Sequence, residues 1–419
     1  MFGGVNVYCF SLSFLIYFLI YFFFVGGWDF VFIEYFSWGG SVFLLDEVSW
    51  YLVYLTVLLL VCILPLSVGF DWSILILVLL SGLFSIFCFI SLNVVFFWLF
   101  YEASILIILF LIYIDSPYSE RYLAGWYLIG YVVFSGLPVI GCFMYIGLIS
   151  GSFNIFDWSF EFVDYGFFII ILFMFSAKVP LFPFHTWLPI VHAEASTIVS
   201  MCLSGFIMKL GVIGIYRVIM FLYSDLFIGM LYYVYGVFFC CIMCFFSSVI
   251  ELDGKRWLAF LSVAHIGVVP LCILLGSFGS FSIGSIFSFG HGVSSNYLFL
   301  LLWFFLIIGG SRNLLYIGWS FNSVWFYTLV SCGGFLFVSS FPPVVNFFVE
   351  AWLVSEYVKF NYLICFLCVV YLFFSSLVPI IMFGSSFIRR FMIDFPILLN
   401  YRFFVSFILF FFGSLSLVF

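Results

Sequence analysis

Ile171-Leu-Phe-Met-Phe-Ser-Ala-Lys178-Val-Pro180-Leu-Phe-Pro183-Phe-His185-Thr-Trp187-Leu-Pro189 is the stretch on which the reading of this chain turns. It enters as an apolar helix, reaches a lysine, and is broken at once by proline, which removes a backbone donor and clashes with the preceding turn. A lysine placed inside such a run costs about 2.5–3.5 kcal/mol on membrane-insertion scales. Interrupted helices at membrane depth are tolerated where they line a cavity, and they mark transport sites. A second stretch has the same character: 322–357 contains Gly333-Gly334 and Pro342-Pro343, and carries Glu350. Two such breaks hint at an inverted repeat.

The rest of the chain supplies the membrane context. Its 419 residues are 67% hydrophobic and 7% charged, with a mean hydropathy of +1.39, whereas a soluble domain carries about 25% charge. Apolar runs able to cross a bilayer core of about 30 Å recur from end to end. Helices satisfy their own backbone groups, as lipid demands, and the lack of apolar–polar alternation argues against an outer-membrane barrel. The predicted fold is therefore an all-α polytopic membrane protein of about 13 transmembrane helices, over 8–25, 49–68, 73–91, 93–114, 123–149, 166–185, 197–222, 227–249, 257–276, 282–309, 322–357, 361–384 and 403–419.

Several features exclude other classes. The net charge of −7 is too diffuse to point to a nucleic-acid partner or to acidic lipid. The 68 phenylalanines read as helix filler. No basic leader or small-residue cleavage site flanks 8–25, so the first helix is expected to be retained. Of the twelve cysteines, Cys241/Cys244 and Cys365/Cys368 have CxxC spacing, but they sit in apolar helix runs and read as small apolar filler rather than a metal or redox pair. There is no dinucleotide fingerprint, Walker loop or HExxH, and no span offers paired histidines for haem.

Loop charges check the span count. Loops after even-numbered spans hold Arg121, Lys255, Arg256, Arg312, Arg389, Arg390 and Arg402. Those after odd-numbered spans hold Lys359 alone among basic residues, and collect Asp29, Glu34, Asp46, Glu47, Asp157, Glu161, Asp164 and Asp225. By the positive-inside rule the N-terminus is expected on the cytoplasm-like side.

Four charges stand near the middle of apolar spans: Glu102, Lys178, Lys209 and Glu350. All four histidines, His185, His192, His265 and His291, lie in or beside spans, and an unperturbed imidazole pKa of about 6.5 suits a proton relay. A Glu102–Lys178 pair is expected to hold a charged lysine, and withdrawal of the carboxylate lets that lysine release its proton. Lys209, His265 and His291 then carry the proton along the midplane to Glu350, with water filling the gaps. Asp253 and Lys255 begin a span, where a simple interfacial anchor competes with a role in transfer. Each lone charge or histidine also has a bland structural reading as a satisfied core group, but six such groups in one chain, several beside helix breaks, argue for traffic of protons rather than a passive spacer.

The stretch from Ala177 through His185-Thr-Trp187-Leu-Pro189-Ile-Val-His192-Ala-Glu194-Ala-Ser196 resembles the proton-pumping, antiporter-like subunits of respiratory complex I, whose hallmark reads roughly K-x-P-x-x-x-x-H-x-W-L-P-x-A-H-x-E-A-P. Met208-Lys209-Leu210-Gly211 and Tyr216-Arg217 resemble the family's next helix. Tyr101-Glu102-Ala103-Ser104, Ser119-Glu120-Arg121-Tyr122-Leu-Ala-Gly125, Asp253-Gly-Lys255 leading to Ser262-Val-Ala-His265, His291-Gly292-Val-Ser-Ser295 and Pro342-Pro343-Val-Val-Asn346-Phe-Phe-Val-Glu350 resemble one branch of it, in order along the chain.

The resemblance implies two inverted five-helix repeats with discontinuous helices. The expected division is 1–72 as N-terminal helices and loop, 73–222 as the first repeat and proton-input half, 223–384 as the second repeat and output half, and 385–419 as the C-terminal helix. It also implies a proton channel of NADH:ubiquinone oxidoreductase in the mitochondrial inner membrane, N-terminus on the matrix side, among sibling antiporter-like subunits and lipids. NADH, FMN, iron–sulfur clusters and ubiquinone would belong to other subunits, leaving this chain with no cofactor and no metal. Glu102 and Lys178 match the family's input pair, Lys209 the central lysine, His265 and His291 the connecting relay and Glu350 the terminal acid. His185, His192, Asp253 and Lys255 are secondary candidates. The rival from the same motifs is a stand-alone multisubunit cation/proton antiporter; the rival from the residues alone is a structural spacer. The chain departs from the pattern at Ile190 and Ser196, and has one span fewer than the family's usual number.

Overall fold

The structure, a computed structural model, describes residues 36–38, 42–66, 71–158, 165–219, 227–269, 278–314, 325–342, 344–360, 362–388 and 401–415, together with Ser13, Ile16 and Cys272. Apart from two of those isolated residues, the span expected over 8–25 lies outside the described residues, as do Asp29, Glu34, Glu161, Asp164, Asp225, Arg389 and Arg390 of the loop-charge pattern.

A short antiparallel hairpin, β1 (Phe36–Trp38) and β2 (Phe43–Leu45), pairs Phe36 with Leu45. The described helices follow: α1 (Glu47–Ile63), α2 (Trp72–Ile90) and α3 (Val94–Asp115). Then α4 is Arg121–Leu128 and Phe134–Ser150 joined through a π-helical turn, Ile129–Val133, and α5 is Tyr165–Lys178 and α6 Trp187–Glu194. Helix α7 is Thr197–Cys202 and Met208–Ile219 joined through a second π turn, Leu203–Ile207. The remainder are α8 (Phe227–Ile250), α9 (Gly254–Ile266), α10 (Phe278–Gly309), α11 (Trp325–Val338), α12 (Val345–Phe360), α13 (Tyr362–Ile388) and α14 (Tyr401–Leu415). Seven of the described helices are long and apolar enough to cross a membrane.

Polar residues at the right places start these helices. Asp46 caps α1: its carboxylate accepts from Ser49 N at 3.1 Å, and its own N–H donates to Ser49 Oγ at 2.8 Å, which satisfies two end donors reciprocally. The same carboxylate meets Arg217, near the end of α7, at 2.8 Å. Asn93 caps α3 by accepting from Val95 N at 3.0 Å.

The proline-rich stretches break their spans as expected, but earlier and more sharply. The run over 166–185 stops helically at Lys178 and resumes as α6, and 322–357 divides into α11 and α12. Both breaks close with the same backbone bond, in which a residue just past the helix reaches back five positions: Leu181 N to Ser176 O at 2.9 Å, and Phe341 N to Leu336 O at 3.1 Å. That closure satisfies carbonyls the helix end would orphan.

Helices α2 to α7 and α8 to α13 follow one order: three helices, a broken helix, and one more. Isolated bridges join Asn93 to Asn154 in the first set and Asp253 to Asn313 in the second. Each ties the residue before the second helix to the segment after the third. Helix α7 lies innermost, with its apolar span wholly buried. Close packing there depends on small residues, because lipid gives no hydrophobic drive for helices to associate. At Gly205, inside the π turn of α7, a methyl group would overlap Leu59 of α1. Trp72, Phe239, Phe366 and Phe373 stay exposed, as befits surfaces solvated by acyl chains rather than water.

Candidate functional site

Helices α3 and α5 bring Glu102 and Lys178 together. Lys178 is the last residue of α5, so its side chain leaves where the backbone ladder ends, and Nζ reaches Glu102 Oε1 at 3.3 Å. Both side chains are buried. The Tyr101 ring lies beneath the ammonium, 3.6 Å from Nζ to the ring centre, and its quadrupole favours a cation there. On the far side Glu102 abuts Gly136 of α4, whose carbonyl accepts from Trp98 Nε1 at 2.9 Å. The second π turn precedes Lys209, which folds its ammonium back onto Ser204 O within that turn. Such turns recur at functional sites because they free a carbonyl from the regular ladder.

From Lys209 the contacts run into the second set of helices. Lys209 Nζ lies 3.3 Å from His291 Nδ1 of α10. The His291 and His265 rings are 6.0 Å apart between centres. His265 Nδ1, on α9, lies 2.8 Å from the Tyr371 hydroxyl of α13, and Tyr371 is within electrostatic reach of Glu350. Glu350 Oε1, on α12, accepts from Ser340 Oγ at 2.8 Å. Ser340 sits at the α11 break with a left-handed φ of 54°, so the break itself presents the donor. Glu102 Oε2, His265 Nε2 and His291 Nε2 are buried without a hydrogen-bond partner among the described residues.

The two parts of this line meet at α7. Gly211, two residues past Lys209, packs against Val179 and against Lys178 Cβ. All six residues that the sequence singled out are thus buried: Lys209 on α7, and Glu102, Lys178 and His291 on α3, α5 and α10, which pack against it, with His265 and Glu350 farther out on α9 and α12. Tyr371, Tyr101, Ser204 and Ser340 were not foreseen. A tyrosine or serine inside an apolar span carries no signal of its own, since most such serines bond back to their own helix.

The secondary candidates fall in two other places. His192 is buried and stacked on Phe299 of α10, with ring centres 5.0 Å apart. Neither of its ring nitrogens has a hydrogen-bond partner among the described residues, and Lys255 and Lys209 both act on it electrostatically. Lys255 Nζ donates to Ala195 O at 2.7 Å. Arg312, which sequence reading placed only in a loop, donates to Ala193 O at 2.7 Å and faces Asp253 at 3.8 Å. Ser116 Oγ donates to Glu194 O. Three successive carbonyls at the C-terminal end of α6 are therefore capped, two of them by cations, which the helix dipole favours at that end. This geometry gives Asp253 and Lys255 a structural task besides any part in transfer. His185 stands apart, 3.7 Å from Cys240 Sγ of α8.

Residues 91–377 match the family described as "NADH:quinone oxidoreductase/Mrp antiporter, TM". The chain belongs to this family of antiporter-like membrane subunits. Among curated relatives of the antiporter-like subunits, it is 32% identical over 318 residues to NADH-ubiquinone oxidoreductase chain 4 of Locusta migratoria, covering 72% of this chain and 68% of that one. It is 27% identical over 315 residues to chain 4 of Ascaris suum, covering 73% of each. Solved structures share the fold. A chain of respiratory complex I from Thermus thermophilus superposes with a TM-score of 0.84 at 20% identity, covering 97% of this chain and 88% of that one. One from the Mrp complex of Dietzia sp. DQ12-45-1b gives 0.74 at 19% identity, covering 94% and 75%. The family match spans Glu102, Lys178, Lys209, His265, His291 and Glu350 alike.

Proposed function

We propose that this chain translocates protons as the chain 4 subunit of the membrane arm of NADH:ubiquinone oxidoreductase, in the mitochondrial inner membrane beside sibling antiporter-like subunits. The observation that carries the reading is a set of buried ionisable groups in both sets of helices: the Glu102–Lys178 pair, the run Lys209–His291–His265–Tyr371, and Glu350 held by Ser340. Ionisable groups in oil are costly, and neighbouring contacts of 2.8–3.3 Å along parts of the line are the distances over which protons hop. The unpaired nitrogens of His265 and His291 supply further valences for water.

In this mechanism the closed Glu102–Lys178 pair keeps its proton on the lysine. Movement in a neighbouring subunit that draws Glu102 away releases it. Lys209 hands a proton to His291, His265 passes it on, and Glu350, held by Ser340, discharges it. Helices within 73–222 form the input repeat and those within 223–384 the inverted output repeat; the matching bridges at Asn93–Asn154 and Asp253–Asn313 support that division. The loop charges favour an N-terminus on the matrix side. NADH, FMN, iron–sulfur clusters and ubiquinone are handled by other subunits, and this chain works without a redox centre of its own.

Replacing Lys209 with methionine in the assembled complex, reconstituted in vesicles, is expected to abolish NADH-driven acidification while NADH oxidation and assembly persist. Full acidification by that variant refutes the assignment. The likeness to an Mrp complex subunit favours one second reading, a stand-alone cation/proton antiporter. Purification of the chain with NADH-oxidising partners decides between the two.

A further inference from the structure

We propose that His185, Cys240 and Cys244 form a binding site for a thiophilic divalent metal ion, Zn²⁺ by chemistry, bridging α8 to the break between α5 and α6. Their candidate ligand atoms all lie within 4.8 Å of one another, and no other group of three such side chains is found among the described residues. Cys241 and Cys244 share the CxxC spacing read as apolar filler. Cys241 turns toward Gly267 beyond α9, while Cys240 and Cys244, four residues apart on one face of α8, converge on His185.

The geometry fits tetrahedral zinc. Zinc–sulfur bonds of about 2.3 Å and zinc–nitrogen bonds of about 2.0 Å place a sulfur and a nitrogen about 3.6 Å apart around one tetrahedral ion. His185 Nδ1 and Cys240 Sγ are 3.7 Å apart. The ligands are held without the ion, because Tyr233, earlier on the same face of α8, donates to Phe182 O in the break at 3.0 Å. Cys244 is buried, and Cys240 and His185 are half-buried, so one side of the site is left uncovered, where a fourth ligand can complete the tetrahedron.

Charge balance selects the metal. On binding, both thiols lose their protons to solvent, and two thiolates, one neutral imidazole and Zn²⁺ sum to zero. A monovalent ion such as Cu⁺ with the same ligands leaves a net negative charge inside an apolar helix bundle, where uncompensated charge is costly. Hard cations such as Mg²⁺ prefer oxygen ligands and do not suit this set.

The test measures metal, not pumping, so its outcome is separate from that of the proton-transfer reading. The full chain, purified in its native complex, is stripped with chelator and titrated with Zn²⁺, and with Cd²⁺ as a spectroscopic stand-in. A single equivalent is expected, with zinc X-ray absorption showing two sulfur neighbours and a nitrogen, and Cd²⁺ giving a thiolate charge-transfer band. Cys240→Ser, Cys244→Ser and His185→Ala are each expected to lose that equivalent or its sulfur signature. Cys365→Ser is expected to keep both, and serves as the control for folding. Unchanged stoichiometry and spectra in the Cys240→Ser and Cys244→Ser complexes overturn the proposal. So does wild-type complex that takes up no zinc while Cys240 remains open to alkylation.

Discussion

Gly136→Ala is a one-methyl change that adds no charge and removes none, yet it should uncouple the pump. An ideal Cβ at Gly136 overlaps Glu102 Oε1 and comes within 2.8 Å of its Cδ. The backbone there is held, because Gly136 O accepts from Trp98 Nε1 at 2.9 Å, so the carboxylate is the part that yields. If Glu102 swings until its oxygen lies roughly 6 Å from Lys178 Nζ instead of 3.3 Å, Coulomb attraction at an effective dielectric of about 20 falls by about 2 kcal/mol. That corresponds to a roughly 30-fold loss of the closed ion pair. Gly141→Ala on the same helix is the built-in control, since nothing lies within 4 Å of its added methyl. The assay is the assembled complex in vesicles, with NADH oxidation by an artificial acceptor read alongside a pH-sensitive dye. Gly136→Ala is expected to oxidise NADH normally but acidify far less per NADH, while Gly141→Ala matches the parent. Equal acidification by both variants, at equal assembly, refutes the claim that the closed pair is part of the cycle.

Tyr371→Phe removes the hydroxyl 2.8 Å from His265 Nδ1; losing one such bond, worth about 1 kcal/mol, is expected to slow proton transfer roughly fivefold in the same vesicles without changing assembly, and an unchanged rate removes Tyr371 from the path. Arg217→Ala takes the 2.8 Å partner from the half-buried Asp46 carboxylate and is expected to cost about 1–3 kcal/mol, read as an earlier thermal unfolding of the detergent-solubilised complex. The Asp46→Ala/Arg217→Ala double variant should regain part of that loss; a strictly additive result shows that the pair is not coupled.

The broken helices were legible because proline acts locally: Pro180 and Pro183 end α5 whatever surrounds them. The buried ionisable residues were legible because their insertion cost is independent of partners. What completes the path was not. Tyr371 becomes a neighbour of His265 only because α13 and α9 both pack against α8, a long-range fact with no pattern in either helix. Arg312 looked like an ordinary loop cation, because nothing in its own sequence shows that it reaches the end of α6. The π turns at Ile129–Val133 and Leu203–Ile207 come from packing of the whole bundle and have no signature in composition. Cys240 has no CxxC partner in sequence, and only helical geometry, which aligns residues four apart, sets it beside Cys244.

The short helix α6 is moored at both ends to different halves of the protein. It follows directly from the Lys178 break, while its final carbonyls are grasped from the opposite half by Lys255 and Arg312 and from α3's end by Ser116. Eight residues in a helix are too stiff to stretch, so α6 works as a tie rod. A shift of α9 against α3 has to be taken up either at the grip on Ala193 and Ala195 or at the hinge beside Lys178. The side chains that look like mere anchors at the rim are thereby mechanically upstream of the lysine deep inside.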